Sequence, residues 1–422
     1  MNPGVLVVFD LIRRMDVFSP RTFGLALVWG LALASPQAAL AQSAAPLTYA
    51  AALDIARQRS PDLVAQVARM DASRATLIPA DALPNPKVFI GIDNFPVSGP
   101  NGGSLTADFM TVRKLGVMQD VPNTAKRRAR KQAAEATLER ESVQLSLDRR
   151  QVLRETAGAW LDRYYIEKRF ALLDELEQEN RLFGDVVKAQ IAAGKALLAD
   201  TVLPRQEWLE IEDRRDALRR LQAEATARLS RWIGEPAQAA LAGQAPRIPL
   251  DHERLKRHVQ AHPELAIFEP MRRMAEAELS EAKAAKRPDW GVEFAYARRG
   301  EEFGDMVSLQ FNVDLPVFTA QRQTPRITAK RHELDRVEAE RQAMERMHGS
   351  ALESQLAEHT MLANQLNRLR TQGVPLAREK VDLQVAAYRA GTGTLNAVLE
   401  ARREWINQRL KAIEWEGQRD TL

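Results

Sequence analysis

Residues 191–208 read IAAGKALLADTVLPRQEW, and residues 388–405 read YRAGTGTLNAVLEARREW. The two stretches align without a gap: Ala193 with Ala390, Gly194 with Gly391, Leu198 with Leu395, Arg205 with Arg402, Glu207 with Glu404 and Trp208 with Trp405. Moving outward, Ser60-Pro61-Asp62-Leu63 pairs with His262-Pro263-Glu264-Leu265. Pro86 opens the run KVFIGIDNF and Pro288 opens DWGVEFAYA. Val121-Pro122 pairs with Leu315-Pro316, each followed by a Thr-Ala step and a basic helical run. The chain is therefore two copies of one unit, residues 42–244 and 245–422, joined at GEPAQAALAGQAPRIPL, whose Gly, Pro and Ala content reads as a linker.

Each copy reads as helix, strand pair, very long helix and shorter helix. In the second copy Val307, Leu309, Phe311, Val313 and Leu315 alternate with Ser308, Gln310, Asn312 and Asp314, the signature of a strand with one apolar and one polar face. Val292, Phe294 and Tyr296 alternate likewise, as do Val88, Ile90 and Ile92 in the first copy; Leu115, Val117 and Val121 do so less cleanly. Hairpins are expected at 87–121 and 289–316, four strands in all, with the turn-rich PVSGPNGGS at the tip of the first. No proline lies between Pro122 and Pro204, and Leu138, Leu145, Val152, Ala159, Ile166 and Leu173 recur every seven residues. That spacing predicts a coiled-coil helix over 123–193 followed by a helix over 197–233. The second copy repeats the plan over 319–390 and 394–420, with Leu352, Leu356, Ala363 and Leu366 in the seam and His359 as a polar intruder. About 70 residues at ~1.5 Å each make a rod of roughly 100 Å, longer than an ordinary globular domain needs.

Composition narrows the function. The 422 residues are 27% charged and 45% hydrophobic, and the net charge is only +4 with acidic and basic residues interleaved. This describes solvated helix faces and argues against a nucleic-acid groove. There is no cysteine, which excludes disulfides, thiolate metal sites, a Cys nucleophile and a lipidated N-terminal Cys. Arg21, the apolar run from Phe23 to Ala34 and the small residues of Ala39-Leu40-Ala41 predict a signal peptide over 1–41, with Met1–Arg14 as an extension before Met15. No P-loop, Rossmann glycine run, nucleophile elbow or zinc-protease motif occurs, so neither enzymatic activity nor a cofactor is expected. His258 and His262 are four apart, and Met271/Met274 and Met344/Met347 three apart, but Pro263 follows His262 directly and Met pairs at helical spacing fill cores. No metal site is expected from them. Trp160, Tyr164, Tyr165, Trp208 and Trp405 are expected to pack between helices.

Four strands cannot close a barrel, and their apolar face must meet lipid or another sheet. Three chains would supply about twelve strands, within the range of closed membrane barrels, with Ser308, Gln310, Asn312 and Asp314 lining a wet lumen. At this point the chain resembles the TolC family of outer-membrane channels. The resemblance rests on Leu83-Pro84-Asn85-Pro86, on the run QDVPNTAKRRAR from Gln119 to Arg130, and on the Ala-Gly step followed by Leu in both copies. Asp93-Asn94-Phe95 and Leu-Pro-Asn-Pro look most like its heavy-metal subgroup. The resemblance implies a mainly α fold with a small β part: a homotrimer with a 12-stranded outer-membrane barrel above a coiled-coil helical tunnel in the periplasm. It implies as partners a periplasmic adaptor and an inner-membrane RND-type pump, with metal cations as cargo. It also implies that the Gly194–Leu198 and Gly391–Leu395 turns lie at the periplasmic tip, where the adaptor docks. Family members place carboxylates just after this turn as a cation-selective ring. Asp200 and Glu400 are the candidates here, although Ala397 occupies the closer position in the second copy. The competing readings are a protein-secretion duct of the same fold and a periplasmic coiled-coil adaptor, which should carry one helical hairpin and not two such copies.

Overall fold

The computed structural model describes residues 46–422 apart from Lys195 and Ile248; the signal peptide expected over 1–41 lies outside them. Copy one runs β1 (Leu47–Thr48), α1 (Tyr49–Arg59), α2 (Pro61–Ala80), β2 (Lys87–Asp93), β3 (Val112–Val121), α3 (Thr124–Ala192), α4 (Val202–Ile233) and β4 (Leu241–Ala242). Copy two runs α5 (His252–Arg257), α6 (Phe268–Ala284), β5 (Asp289–Arg298), β6 (Met306–Asp314), α7 (Gln323–Arg368), α8 (Val374–Arg389) and α9 (Leu395–Thr421). The fold is mainly α with a small β part.

The heptad line of α3 becomes its buried stripe. Leu145, Val152, Ala159, Ile166 and Leu173 are all buried, and the same seven-residue step continues through Asn180 to Val187. Asn180 is a polar residue in an apolar seam. Its side-chain amide donates to the Pro204 carbonyl at 2.8 Å and so fixes α4 against α3 near their turn. Ile166, Leu172, Leu173 and Leu176 of α3 pack with Ile211 and Leu218 of α4 and with Ile406 of α9, so the copy-one helix serves both copies. A second cluster forms around Trp160, which is fully buried. Its indole N–H donates to the Leu47 carbonyl at 3.2 Å, its ring stacks on Tyr164 at 5.2 Å, and the edge of Tyr49 meets it at 5.4 Å. Nearby, β1 pairs with β4 in parallel, Leu47 opposite Leu241, which stitches the start of copy one to its end.

The second long helix differs from the first. It begins at Gln323, four residues later than the sequence pattern predicts, and its α-helical course is broken by one π turn over Leu369–Gly373. Pro375 supplies the reason. Its nitrogen carries no proton for the carbonyl four residues back, and its ring crowds that carbonyl. The chain answers by widening one turn, with the Val374 N–H bonding five residues back to Leu369. Copy one has Gln178 at the aligned position and stays α-helical throughout.

The four long strands form one antiparallel sheet in the order β2-β3-β5-β6. The two hairpins meet at the β3–β5 pairing, which runs from Arg113 opposite Arg298 to Val121 opposite Trp290. β2 and β6 have no outer partner among the described residues. No helix there is long and apolar enough to cross a membrane.

Candidate functional site

The sheet is the first candidate surface. Strand pairing places partners on the same face, and two rungs cross all four strands: Ile90–Leu115–Tyr296–Val307 and Val88–Val117–Phe294–Leu309. All eight are exposed, Ile90 at 83%, although they form a continuous apolar field. The opposite face is mostly small and polar, with Phe89 and Met118 among its large apolar members. Its rungs are Gly116–Ala295–Ser308, Met118–Glu293–Gln310 and Asp120–Gly291–Asn312. Ser308, Gln310, Asn312 and Asp314 sit on this face, with Asp314 opposite Asp289 and the Gln310 amide donating to Asn312 at 2.9 Å. Gly116 is required here because the Phe89 ring lies across it and leaves no room for a side chain. Aromatic residues mark both ends of the apolar field: Trp290 toward the helices, and Phe109 with Phe303, 6.5 Å apart, in the loops beyond the far end. A lipid-facing barrel wall has this anatomy.

The helical turns are the second. Gly194 and Gly391 both adopt left-handed backbone, φ 66° and 75°, which spares a side chain the strain of that region. After Arg389 the chain closes a Schellman motif: Gly391 N–H bonds to Tyr388 and Thr392 N–H to Ala387. The copies then part. In copy two the Thr394 hydroxyl caps α9 by accepting the Ala397 N–H at 3.3 Å, and Leu395 is buried. In copy one a single 3-10 turn, Leu198–Thr201, precedes α4, and Leu197 and Leu198 project into solvent at 72% and 76% exposure. Gly194 and Leu198 thus share an open turn, whereas Leu395 is core.

Asp200 uses its carboxylate locally, accepting the Leu197 N–H at 2.9 Å. Burial, and then the charge of nearby Asp200, raises the Tyr388 phenol above its ordinary value. Glu400 is exposed on α9, has no ion-pair partner within reach among the described residues, and acts on Arg403 only through space. The structure brings Asp200 and Glu400 to the same end of the helices without joining them.

Sequence reasoning missed the ionic braces beside them. Arg403 of α9 bridges Glu207 at 2.6 Å and Glu210 at 2.9 Å on α4, and Arg402 reaches Glu179 on α3 at 2.8 Å. Glu404 pairs with Lys380 of α8 at 2.6 Å. The repeated Arg-x-Glu-Trp motif carries part of the signal, through Glu207, Arg402 and Glu404; Arg403 stands at its variable position, where copy one has Gln206. The two tryptophans of that motif also diverge. Trp405 lies against Arg378 and Arg409 at 4.8 and 4.9 Å from its ring, while Trp208 is 46% exposed. Within the single chain Trp208 faces outward from α4, where no helix among the described residues covers it. Its neighbour Leu209 is exposed as well; Leu182 and Val186 of α3 instead line a groove with Arg378, Val381 and Trp405, and on α8, Leu376 and Leu383, seven residues apart, are 66% and 63% exposed. Their spacing is that of a coiled-coil seam, and no helix among the described residues covers them.

Met271 and Met344 pack beside Leu265, Phe268, Ala275 and Val337, as core filling. His258 and His262 are not brought together: the His258 Nδ1 lies 2.8 Å from the Arg254 carbonyl, and His262 stacks on His348.

The sequence model of a family described as outer membrane efflux protein matches residues 52–235 and 255–421, one stretch in each copy. No curated protein matches the chain. Among solved structures the chain is similar to a membrane protein from Pseudomonas aeruginosa, at 16% identity and TM-score 0.75, covering 88% of this chain and 91% of that one. It is similar to the outer membrane protein VceC from Vibrio cholerae, at 15% identity and TM-score 0.68, covering 88% and 93%. It is also similar to CusC, whose structures concern folding and transmembrane channel formation, at 14% identity and TM-score 0.68, covering 90% and 91%.

Proposed function

The chain belongs to the outer membrane efflux protein family, and from that premise we propose that three copies form the passive exit duct of a tripartite efflux system. Three four-stranded sheets join edge to edge through β2 and β6 into a 12-stranded barrel. The rungs around Leu115 and Phe294 meet lipid, and the face of Ser308, Gln310, Asn312 and Asp314 lines the lumen. Below the barrel, the exposed seam of Leu376 and Leu383 and the outer face of α4 are covered by neighbouring copies, and the helices enclose a periplasmic tunnel. A periplasmic adaptor docks at the Gly194–Leu198 and Gly391–Leu395 turns, the second through its exposed residues before the buried Leu395, and an inner-membrane RND-type pump drives transport, so the duct itself catalyses no bond chemistry. Metal cations are the proposed cargo, on the strength of the Leu83–Pro86 and Asp93–Phe95 motifs and of carboxylates at the tip.

One observation carries this reading: a single sheet combines two unpaired edges with an apolar face left in solvent. In one isolated chain each is a liability, and closure around a threefold axis in lipid removes both. The test is purification from outer membranes followed by chemical crosslinking and planar-bilayer recording. Trimers with discrete conductance steps are expected. A freely soluble monomer that leaves bilayers silent would overturn the proposal.

A further inference from the structure

The repeat pairs Ser60 with His262 and Asp62 with Glu264, so copy two keeps a carboxylate and carries an imidazole where copy one has a serine at its α1–α2 junction. Pro263–Ile267 forms a 3-10 turn capped by His262, whose Nδ1 accepts the Glu264 N–H at 3.3 Å. The long helix α7 packs His348 onto this turn, with ring centroids 3.7 Å apart and planes 26° from parallel. One ligand atom from each of His262, Glu264 and His348 falls within 4.8 Å of the other two. The His348 side chain is only 13% exposed. Its Nε2 is buried 3.2 Å from the Glu264 carboxylate, yet without the geometry of a hydrogen bond and with no other partner. A buried ring nitrogen facing a carboxylate in this way is a costly arrangement unless something else satisfies it.

We propose that His262, Glu264 and His348 bind one borderline divalent cation, of the Zn2+ or Cu2+ class, which clips the Pro263–Ile267 turn to α7 within each chain. Two imidazoles and a carboxylate are a donor set that suits these ions and leaves a position for water. Burial, followed by the adjacent His348, lowers the His262 pKa and favours the neutral ring, whose lone pair can ligate. Glu264 supplies the negative charge that offsets Arg150 and Arg154, which bear on His262 from α3. Stacked rings hold their lone pairs in nearly parallel planes, so capture requires one imidazole to turn about its Cβ–Cγ bond. The 3.3 Å contact from the Glu264 N–H is the one hydrogen bond restraining either ring among the described residues. The site stands apart from the tip carboxylates and is independent of what the duct conducts.

The experiment uses the full chain purified in detergent, stripped with a chelator and titrated with Zn2+ by calorimetry. One saturable Zn2+ per chain is expected, together with a rise in melting temperature. H262A and H348A should each weaken binding by roughly tenfold or more, while H258A, and H252A with H359A, leave it unchanged. E264Q, which keeps shape and removes charge, should also weaken binding and provides a reading if a histidine variant fails to fold. Absence of saturable binding, binding indifferent to H262A, H348A and E264Q, or binding lost in the H252A/H359A variant would each overturn the proposal.

Discussion

Asn123 accepts the Lys126 N–H through its side-chain oxygen at 3.0 Å and donates through its side-chain nitrogen to the Asp289 carboxylate at 2.8 Å. One residue therefore starts the long helix of copy one and holds the first residue of a strand from copy two. The Asn123 backbone N–H bonds to the same carboxylate at 2.9 Å, and Lys126 completes an ion pair with it. The hinge between sheet and helices is thus built across the repeat.

The two roles of Asn123 can be separated. N123A removes both and should cost about 1–3 kcal/mol, a cap plus a hydrogen bond to a charged group. N123D keeps an equally good cap but loses the amide donor and sets a second carboxylate against Asp289. It should therefore be at least as destabilising as N123A in thermal unfolding of the assembled protein. Wild-type behaviour of N123D would mean that only the cap matters.

Glu141 predicts a pH dependence. Burial alone would raise its carboxyl, but hydrogen bonds from Arg140 and from Gln66, with the charges of Arg140 and Arg69, outweigh burial and hold it below the usual carboxylate range. The Gln66 side chain, itself buried, donates to it at 2.9 Å and ties α2 to α3. A folded pKa below the unfolded one stabilises the fold above the ordinary glutamate value, and this contribution is lost as pH falls through the lowered one. E141Q should accordingly be less stable than wild type at neutral pH, and the gap should narrow in acid. Chemical denaturation of both proteins across that range measures it; a gap constant with pH would refute the assignment.

Periodicity made most of this architecture legible. A seven-residue step identifies the α3 stripe because burial of a coiled-coil seam tracks phase alone, and strict alternation identifies the two faces of β6 for the same reason. Divergence between the copies was not legible. Leu198 and Leu395 align, yet one is exposed and the other core, because Thr394 can cap a helix where Leu197 cannot and copy one inserts a 3-10 turn instead. Nor could spacing reveal the His262–His348 contact, since it joins residues from separate elements.

Asp200 and Glu400 are open to a charge-only test of the proposed selective ring. D200N retains a side-chain oxygen to accept the Leu197 N–H, and Glu400 is exposed, so neither D200N nor E400Q should disturb packing. Threefold repetition would multiply each charge in a narrow pore and concentrate negative potential there. In planar bilayers the double variant should lose cation preference while keeping single-channel steps. Unchanged reversal potentials under a salt gradient would eliminate these two residues as the selective ring.

The π turn at Leu369–Gly373 invites a deletion experiment. A π turn holds one residue more than an α turn, so it advances the chain while leaving the helical phase of α8 intact. Removing exposed Thr371, with Pro375→Ala to restore the missing N–H, should convert the segment to continuous α-helix. Ala377 and Val381 would remain on the buried face and Leu376 and Leu383 on the open seam. Removing Glu379, which is equally exposed, leaves the bulge in place but rotates every later residue of α8 by about 100°. Val381 would leave the core and Leu383 the seam. The first variant should therefore fold with a melting temperature at or above wild type, and the second should lose the proposed trimer. Equal damage from both deletions would show that α8 is held by something other than the phase of its apolar residues.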